Sequence, residues 1–238
     1  MKKANKSYVS LVVVAAGKGT RMNMNINKQY ISVGGIPILA RTLKLFDGMN
    51  CINEIILVVH CDDILYCREN IIDGNKYKKV KCVITGGETR QDSVFNGLME
   101  VSEKTDIVLI HDGVRPFIDE DSINRCIEAA KEYAVATVAV PLKDTVKSSN
   151  SEGFVQETLE RSTLWSVQTP QAFKFKIIMD SHKQAKKDGF VGTDDTVLAE
   201  RLGNKTKLVM GTYNNIKITT REDLIFAEAI VNSKHPLD

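Results

Sequence analysis

From Leu11 to Ala16 the chain is an unbroken apolar run, and it passes directly into Gly17-Lys18-Gly19-Thr20-Arg21. A β-branched run ending in small residues predicts a central parallel strand that delivers a loop to the carboxyl edge of an α/β sheet. Pro37–Phe46 then sets apolar residues at helical spacing with Pro in the first turn, and Glu54–His60 (EIILVVH) returns to a strand, which makes a βαβ unit. The alternation predicts a helix near Ile64–Ile72, a strand Val80–Thr85, a helix Thr89–Val101 and a strand Asp106–His111. A helix Glu120–Tyr133 and a strand Val135–Pro141 complete a doubly wound pattern of about five core strands.

The rhythm breaks at Leu142. Up to Thr163 the chain is polar, with a turn at Ser148–Gly153 between short extended runs, Asp144–Lys147 and Phe154–Leu159. This predicts a β-hairpin arm at about 142–163 with too little apolar material for a core of its own, projecting unless another chain covers it. Helices at Lys174–Lys187, Asp194–Leu202 and Arg221–Val231, and a strand around Lys207–Thr212, follow it.

Composition narrows this picture without changing it. At 238 residues and 43% hydrophobic content, with no compositional break, one domain spanning 1–238 is expected. The 32 basic and 30 acidic residues leave a net charge of +2, which argues against a dedicated nucleic-acid or anionic-membrane binder and leaves small anionic substrates open. Five cysteines without a C-x-x-C pair indicate neither a disulfide framework nor a zinc site, and point to the cytoplasm. Lys2, Lys3 and Lys6 ahead of the apolar run imitate a short signal peptide, but cleavage after Ala16 would remove the strand that feeds the basic loop. The run is therefore read as a strand. No other segment approaches membrane-spanning length.

The first loop is neither of the two familiar phosphate loops. Lys18 is followed by Gly19, not by Ser or Thr, and Met22 stands where a dinucleotide fingerprint needs its third Gly. What is left is a loop whose Lys18 and Arg21, with Lys28 beyond, suit a triphosphate; a solvated basic turn is the plainer alternative. Gly86-Gly87-Glu88-Thr89-Arg90-Gln91-Asp92-Ser93 is a glycine turn able to read the edge of a base, or simply a helix start capped by Thr89. In His111-Asp112-Gly113-Val114-Arg115, Asp112 at a strand end suits Mg²⁺ and Arg115 a phosphate, although an Asp–Arg surface pair would look the same. His111 is read as a packed neighbour, outside the site.

A second anion site is split over Arg161–Gln171, Thr193-Asp194-Asp195 and Asn215–Thr219. Thr193 before two acids reads first as a helix cap, while Lys217, inside an otherwise apolar strand, either snorkels or meets an anion. A triphosphate site with a base-reading turn and a metal carboxylate, beside a site for a smaller phosphate, implies nucleotidyl transfer. The acceptor would be its own nucleophile, because a phosphate monoester with a second pKa of about 6 is mostly dianionic at neutral pH.

VVVAAGKGTRM with Lys28-Gln29-Tyr30, GGETRQDSV, HDGVRPF, VPLKDTVK, RSTLWSVQTPQAF, TDD and NIKIT occur in that order across nearly the whole chain. Together they closely resemble the 2-C-methyl-D-erythritol 4-phosphate cytidylyltransferases. The resemblance implies a Rossmann-like, doubly wound mixed sheet of the nucleotide-diphospho-sugar transferase type. It implies that Ala15, Ala16, Gly17, Gly19, Arg21 and Lys28 bind the phosphates of CTP, with Arg21 and Lys28 stabilising the transition state. Gly87 and Ser93 would meet cytosine, and Asp112 would hold magnesium or another divalent cation beside the substrates. Arg115, Thr145, Arg161, Thr169, Thr193 and Lys217 would bind the acceptor, Arg161 and Lys217 orienting its phosphate. It further implies a homodimer whose arms reach into the partner's site, so that Thr145 and Arg161 act in trans. Gly113-Val114 and Asn214 depart from the family's commoner residues without removing a charged group. A ribitol 5-phosphate cytidylyltransferase, similar in fold and first loop, and a non-catalytic CTP-binding regulatory module are the alternatives.

Overall fold

The computed structural model describes residues 7–17 and 27–233. In chain order the elements are β1 (Val9–Ala15), β2 (Ser32–Val33), β3 (Ile36–Pro37), α1 (Ile38–Gly48), β4 (Glu54–Val59) and α2 (Ile64–Cys67). They continue with β5 (Val80–Thr85), α3 (Arg90–Met99), β6 (Ile107–Asp112), α4 (Glu120–Tyr133), β7 (Val135–Pro141), β8 (Lys147–Ser149) and β9 (Val155–Thr158). β10 (Trp165–Lys174), α5 (Phe175–Lys187), α6 (Asp195–Arg201), β11 (Lys207–Met210) and α7 (Arg221–Asn232) complete the chain.

Seven strands form one mixed sheet in the order β11-β7-β10-β6-β1-β4-β5. Alternation along β1 serves two cores at once. Leu11 and Val13 pack with Leu43 and Phe46 of α1 and Ile127 of α4 on one face, while Val12 packs with Val94 and Leu98 of α3 and Ile178 of α5 on the other. A strand covered on both faces has no polar side to show, which is why β1 and β4 read as continuous apolar runs. β1 pairs in parallel with β4 on one side and β6 on the other. The chain leaves β1 towards β4 and β5 and returns to β6, so the carboxyl ends of β1 and β6 flank the topological switch point where open α/β sheets bind ligands.

β10 is not among the strands that the apolar runs predict. It enters antiparallel between β6 and β7, and its pairing with β7 shifts register between Val167 and Gln171. Gln168, Thr169 and Gln171 are buried there, so a polar stretch containing Pro170 occupies an interior strand. Each of the three polar side chains finds a partner inside the fold, so their burial is tolerated.

Three further expectations shift. The Ile64–Ile72 helix is a single α-turn followed by a π-helical segment, Arg68–Ile72. In the 142–163 segment only Lys147–Ser149 and Val155–Thr158 pair, as a separate two-stranded sheet, so the first strand begins later than the polar pattern predicts. Lys217 lies in an irregular extended segment and not in a strand; its neighbour Ile218 is buried and donates its amide to Val114 O at 3.0 Å.

Candidate active site

Two pockets adjoin at the switch point, and Arg90, Asp112 and Lys217 line both. The first is bounded by Ala15, Ala16 and Gly17 from the end of β1, by Lys28, and by Gly87 and Ser93 around the start of α3. The second takes Arg115, Thr169 and Thr193. Most of the residues singled out in the sequence therefore converge on two cavities with a common wall. Gly19 and Arg21 lie outside the described residues. Thr145 and Arg161 are exposed and line neither pocket; Arg161 Nη1 donates to Lys143 O at 2.8 Å at the base of the hairpin.

The wall is built on one carboxylate. Asp112 Oδ1 accepts from Arg90 Nε at 3.3 Å, Oδ2 accepts from Lys217 Nζ at 2.8 Å, and Arg115 Nε stands 3.6 Å from Oδ2. Burial alone would raise this carboxyl, but Arg90, Lys217 and Arg115 together outweigh it and hold the group well below the usual carboxylate range. Of the two readings of Lys217, the meeting with an anion is the one realised, and the anion is Asp112. Arg90 also donates through Nη1 to Asp195 Oδ2 at 2.7 Å, and Asp195 Oδ1 lies 3.2 Å from His182 Nε2. Burial opposes ionisation of Asp195 as well, and Arg90 again prevails, keeping its carboxyl low. Two cations, Arg90 and Lys217, against the one carboxylate of Asp112 leave the shared wall with a net positive charge, which suits phosphates on either side.

Hydrogen bonds fix this arrangement from below. The amide of Asp112 donates to Thr169 Oγ1 at 3.0 Å, Thr169 Oγ1 lies 3.1 Å from His111 Nδ1, and His111 Nε2 lies 3.0 Å from Arg115 O. A carbonyl can only accept, so Nε2 carries the proton; Nδ1 of the neutral ring then accepts from the Thr169 hydroxyl. Burial pushes the His111 pKa down to about 4, so the ring is neutral at working pH. His111 thus braces Thr169 and the Arg115 carbonyl.

The glycine turn is both a cap and a pocket wall. Thr89 caps α3 in a reciprocal box with Asp92. Ser93 Oγ accepts from Gly87 N at 3.1 Å and donates to Thr89 O at 2.9 Å, so this hydroxyl ties the turn together. A Cβ on Gly86 would lie 2.5 Å from Ala16 Cβ and 2.6 Å from Ser93 Oγ, so the turn can close on the β1 loop only with glycine there. At α6 the cap is Asp194, whose side chain accepts from Val197 N, and not Thr193. Its carboxylate gives a stronger cap than a hydroxyl one residue earlier would, and Thr193 is left facing the second pocket.

The model of the 2-C-methyl-D-erythritol 4-phosphate cytidylyltransferase family matches residues 9–233. The chain belongs to that family. Among curated relatives, the 2-C-methyl-D-erythritol 4-phosphate cytidylyltransferase of Alkaliphilus oremlandii is 47% identical over 230 residues, covering 97% of this chain and 98% of that protein. That of Clostridium novyi is 49% identical over 222 residues, covering 93% and 96%. The crystal structure of 4-diphosphocytidyl-2C-methyl-D-erythritol synthase from Anaerococcus prevotii superposes with a TM-score of 0.85 at 35% identity, covering 96% of this chain and all of that one. In this family member, sequence reasoning gave no individual role to Arg90, Asp195 or His182. Arg90 stands inside the GGETRQDS stretch and Asp195 inside TDD, but only the fold shows that one guanidinium joins them to Asp112.

Proposed function

We propose that this chain transfers CMP from CTP to 2-C-methyl-D-erythritol 4-phosphate, giving 4-(cytidine 5'-diphospho)-2-C-methyl-D-erythritol and pyrophosphate. The observation that carries this reading is the wall of Arg90, Asp112 and Lys217 common to both pockets. CTP occupies the pocket beside β1 and α3, with its phosphates against Ala15, Ala16, Gly17, Gly19, Arg21 and Lys28 and its base against the Gly87 turn. The acceptor occupies the other, held by Arg115, Thr169, Thr193 and Lys217. An oxygen of the acceptor phosphate attacks the α-phosphorus, the bond from that phosphorus to the β-phosphate oxygen breaks, and pyrophosphate leaves. No base is needed for a nucleophile that is already dianionic. Rate comes from alignment across the shared wall and from cations placed where charge grows on the leaving group.

Asp112 is a permanently ionised oxygen donor on that wall, whereas Asp195 is 1% exposed behind Arg90. Asp112 would hold a Mg²⁺ or similar divalent ion in exchange for one of its present cation partners. When bound, the ion would neutralise charge on the triphosphate and the leaving pyrophosphate.

The reading includes a homodimer formed through the 142–163 arm, with Thr145 and Arg161 completing the partner's acceptor pocket. Neither residue lines either pocket of its own chain, and Phe154 (68%) and Val155 (58%) are exposed on the hairpin; both support this. It also includes a single domain over 1–238 and a cytoplasmic, bacterial-type location. All five cysteines are free thiols, and among the described residues no helix is long and apolar enough to cross a membrane.

The test is pyrophosphate release by the full chain with CTP and Mg²⁺, comparing 2-C-methyl-D-erythritol 4-phosphate, ribitol 5-phosphate and no acceptor. Release with the first alone is expected. Release with ribitol 5-phosphate alone would overturn the acceptor assignment, and CTP binding without release under any condition would make the chain a binding module.

A further inference from the structure

Lys28 is held by its two neighbours in sequence. Asn27 Nδ2 donates to both oxygens of Asp63, at 3.0 Å to Oδ1 and 2.8 Å to Oδ2, and Gln29 Nε2 donates to Asp63 Oδ2 at 3.3 Å. The same Gln29 amide donates to Ala15 O at 3.0 Å, at the last residue of β1, and Gln29 is buried. Asp63 is 35 or so residues away in sequence, at the end of the short 3-10 turn Cys61–Asp63 that follows β4, and its own amide is fixed by His60 O at 2.9 Å. The carboxylate thus clamps the residues on either side of Lys28 to the β1–β4 edge, while Lys28 lines the first pocket.

Resting on the function proposed above, we infer that Asp63 is a positioning residue for Lys28. Lysine is a point charge on a flexible four-carbon stem, so where its ammonium meets a transition-state phosphate depends on where its backbone is held. Asp63 supplies charge-assisted acceptors to two neutral amides, and removing it leaves the buried Gln29 amide short of a partner. It touches neither substrate pocket among the described residues, and acts only through the segment that carries Lys28.

A double-mutant cycle in the full chain tests this, using Asp63→Ala, Lys28→Ala and the pair. Asp63→Ala is expected to lower kcat by about 10- to 100-fold, the loss typical of a misplaced catalytic group, with the acceptor KM unchanged. In the Lys28→Ala background the same change should cost less than about 2-fold, because its target is gone. Full loss in both backgrounds would make Asp63 merely structural, and a near-normal kcat for Asp63→Ala would overturn the inference outright. Asn27→Ala, which removes two of the three hydrogen bonds and leaves the Gln29 bond, should fall between wild type and Asp63→Ala, and carries the test if the Asp63 variant fails to fold. Amide hydrogen exchange reads the clamp without turnover: Asp63→Ala should speed exchange across 28–31 by about tenfold, the loss of one to two hydrogen bonds, and leave β6 unaffected. Unchanged exchange there would refute the clamp even if the wild-type chain failed to transfer CMP.

Discussion

Replacing Arg90 with Met should unfold this protein more readily than any other change at the shared wall. Arg90 bridges Asp112 and Asp195, and the two carboxylates do not lose equally when it goes. Asp112 keeps Lys217 at 2.8 Å and Arg115 at 3.6 Å, so it stays compensated. Asp195, 1% exposed, keeps only His182 at 3.2 Å among the described residues. Removing one partner of a buried ion pair costs about 3–5 kcal/mol, mostly the penalty of the charge left behind, and the remaining imidazole sets the expectation near the lower end, about 3 kcal/mol. The pH dependence follows from the sign of the shifts. Arg90 holds both carboxyls below their unfolded values, so its contribution is fully present above about pH 4 and is lost as pH falls through the lower folded values. Urea titrations of wild type and Arg90→Met at pH 7.5, 5.5 and 3 should show the full gap at pH 7.5 and 5.5, narrowing at pH 3. Asp195→Asn added to Arg90→Met should recover part of the loss. A gap under about 1 kcal/mol at pH 7.5, or no recovery, would refute a bridging role for Arg90.

His111 gives a second pH signature. Its pKa falls from 6.5 to about 4 on burial, so the unfolded chain binds the extra proton between those values, and the fold loses about 3 kcal/mol as pH drops from 6.5 to 4; His111→Gln should flatten the urea-midpoint profile in that window. Lys28→Ala and Arg21→Ala should each lower kcat by at least about 10²-fold, as for loss of one transition-state donor, whereas Lys217→Ala and Arg161→Ala should chiefly raise the acceptor KM in steady-state assays. Mixing Arg161→Ala with Lys28→Ala subunits should restore part of the activity if the arm works in trans; verified subunit exchange with no recovery would remove it from the partner's site.

The parts of this fold that can be read from sequence are those where one side-chain property decides the outcome. β1, β4 and β6 are buried on both faces, so an apolar run was sufficient to find each of them. β10 is interior as well, but Gln168, Thr169 and Gln171 belong there because of bonds to Thr212, to Asp112 and to Asp194, partners that adjoin only after folding. The same holds for the site. Lys28, Asp112, Arg115 and Lys217 advertise themselves as charges beside strand ends or in apolar surroundings. Arg90 was hidden in a helix start, where an arginine is unremarkable until Asp112 and Asp195 face it from two other elements. Asp63 was indistinguishable from any acid in a turn, and its bonds to Asn27 and Gln29 depend on the loop after β4 meeting the chain beyond β1.

On the proposed function, both substrates meet across the wall of Arg90, Asp112 and Lys217, and the acceptor phosphate itself attacks the α-phosphorus. Exchange of labelled pyrophosphate into CTP tests it most directly. With enzyme, Mg²⁺ and CTP alone there should be no exchange, and exchange should begin only when 2-C-methyl-D-erythritol 4-phosphate or its cytidylyl product is supplied. Exchange in the absence of any acceptor or product would mean that CMP passes first to a residue of the protein, and would contradict direct transfer between the two pockets.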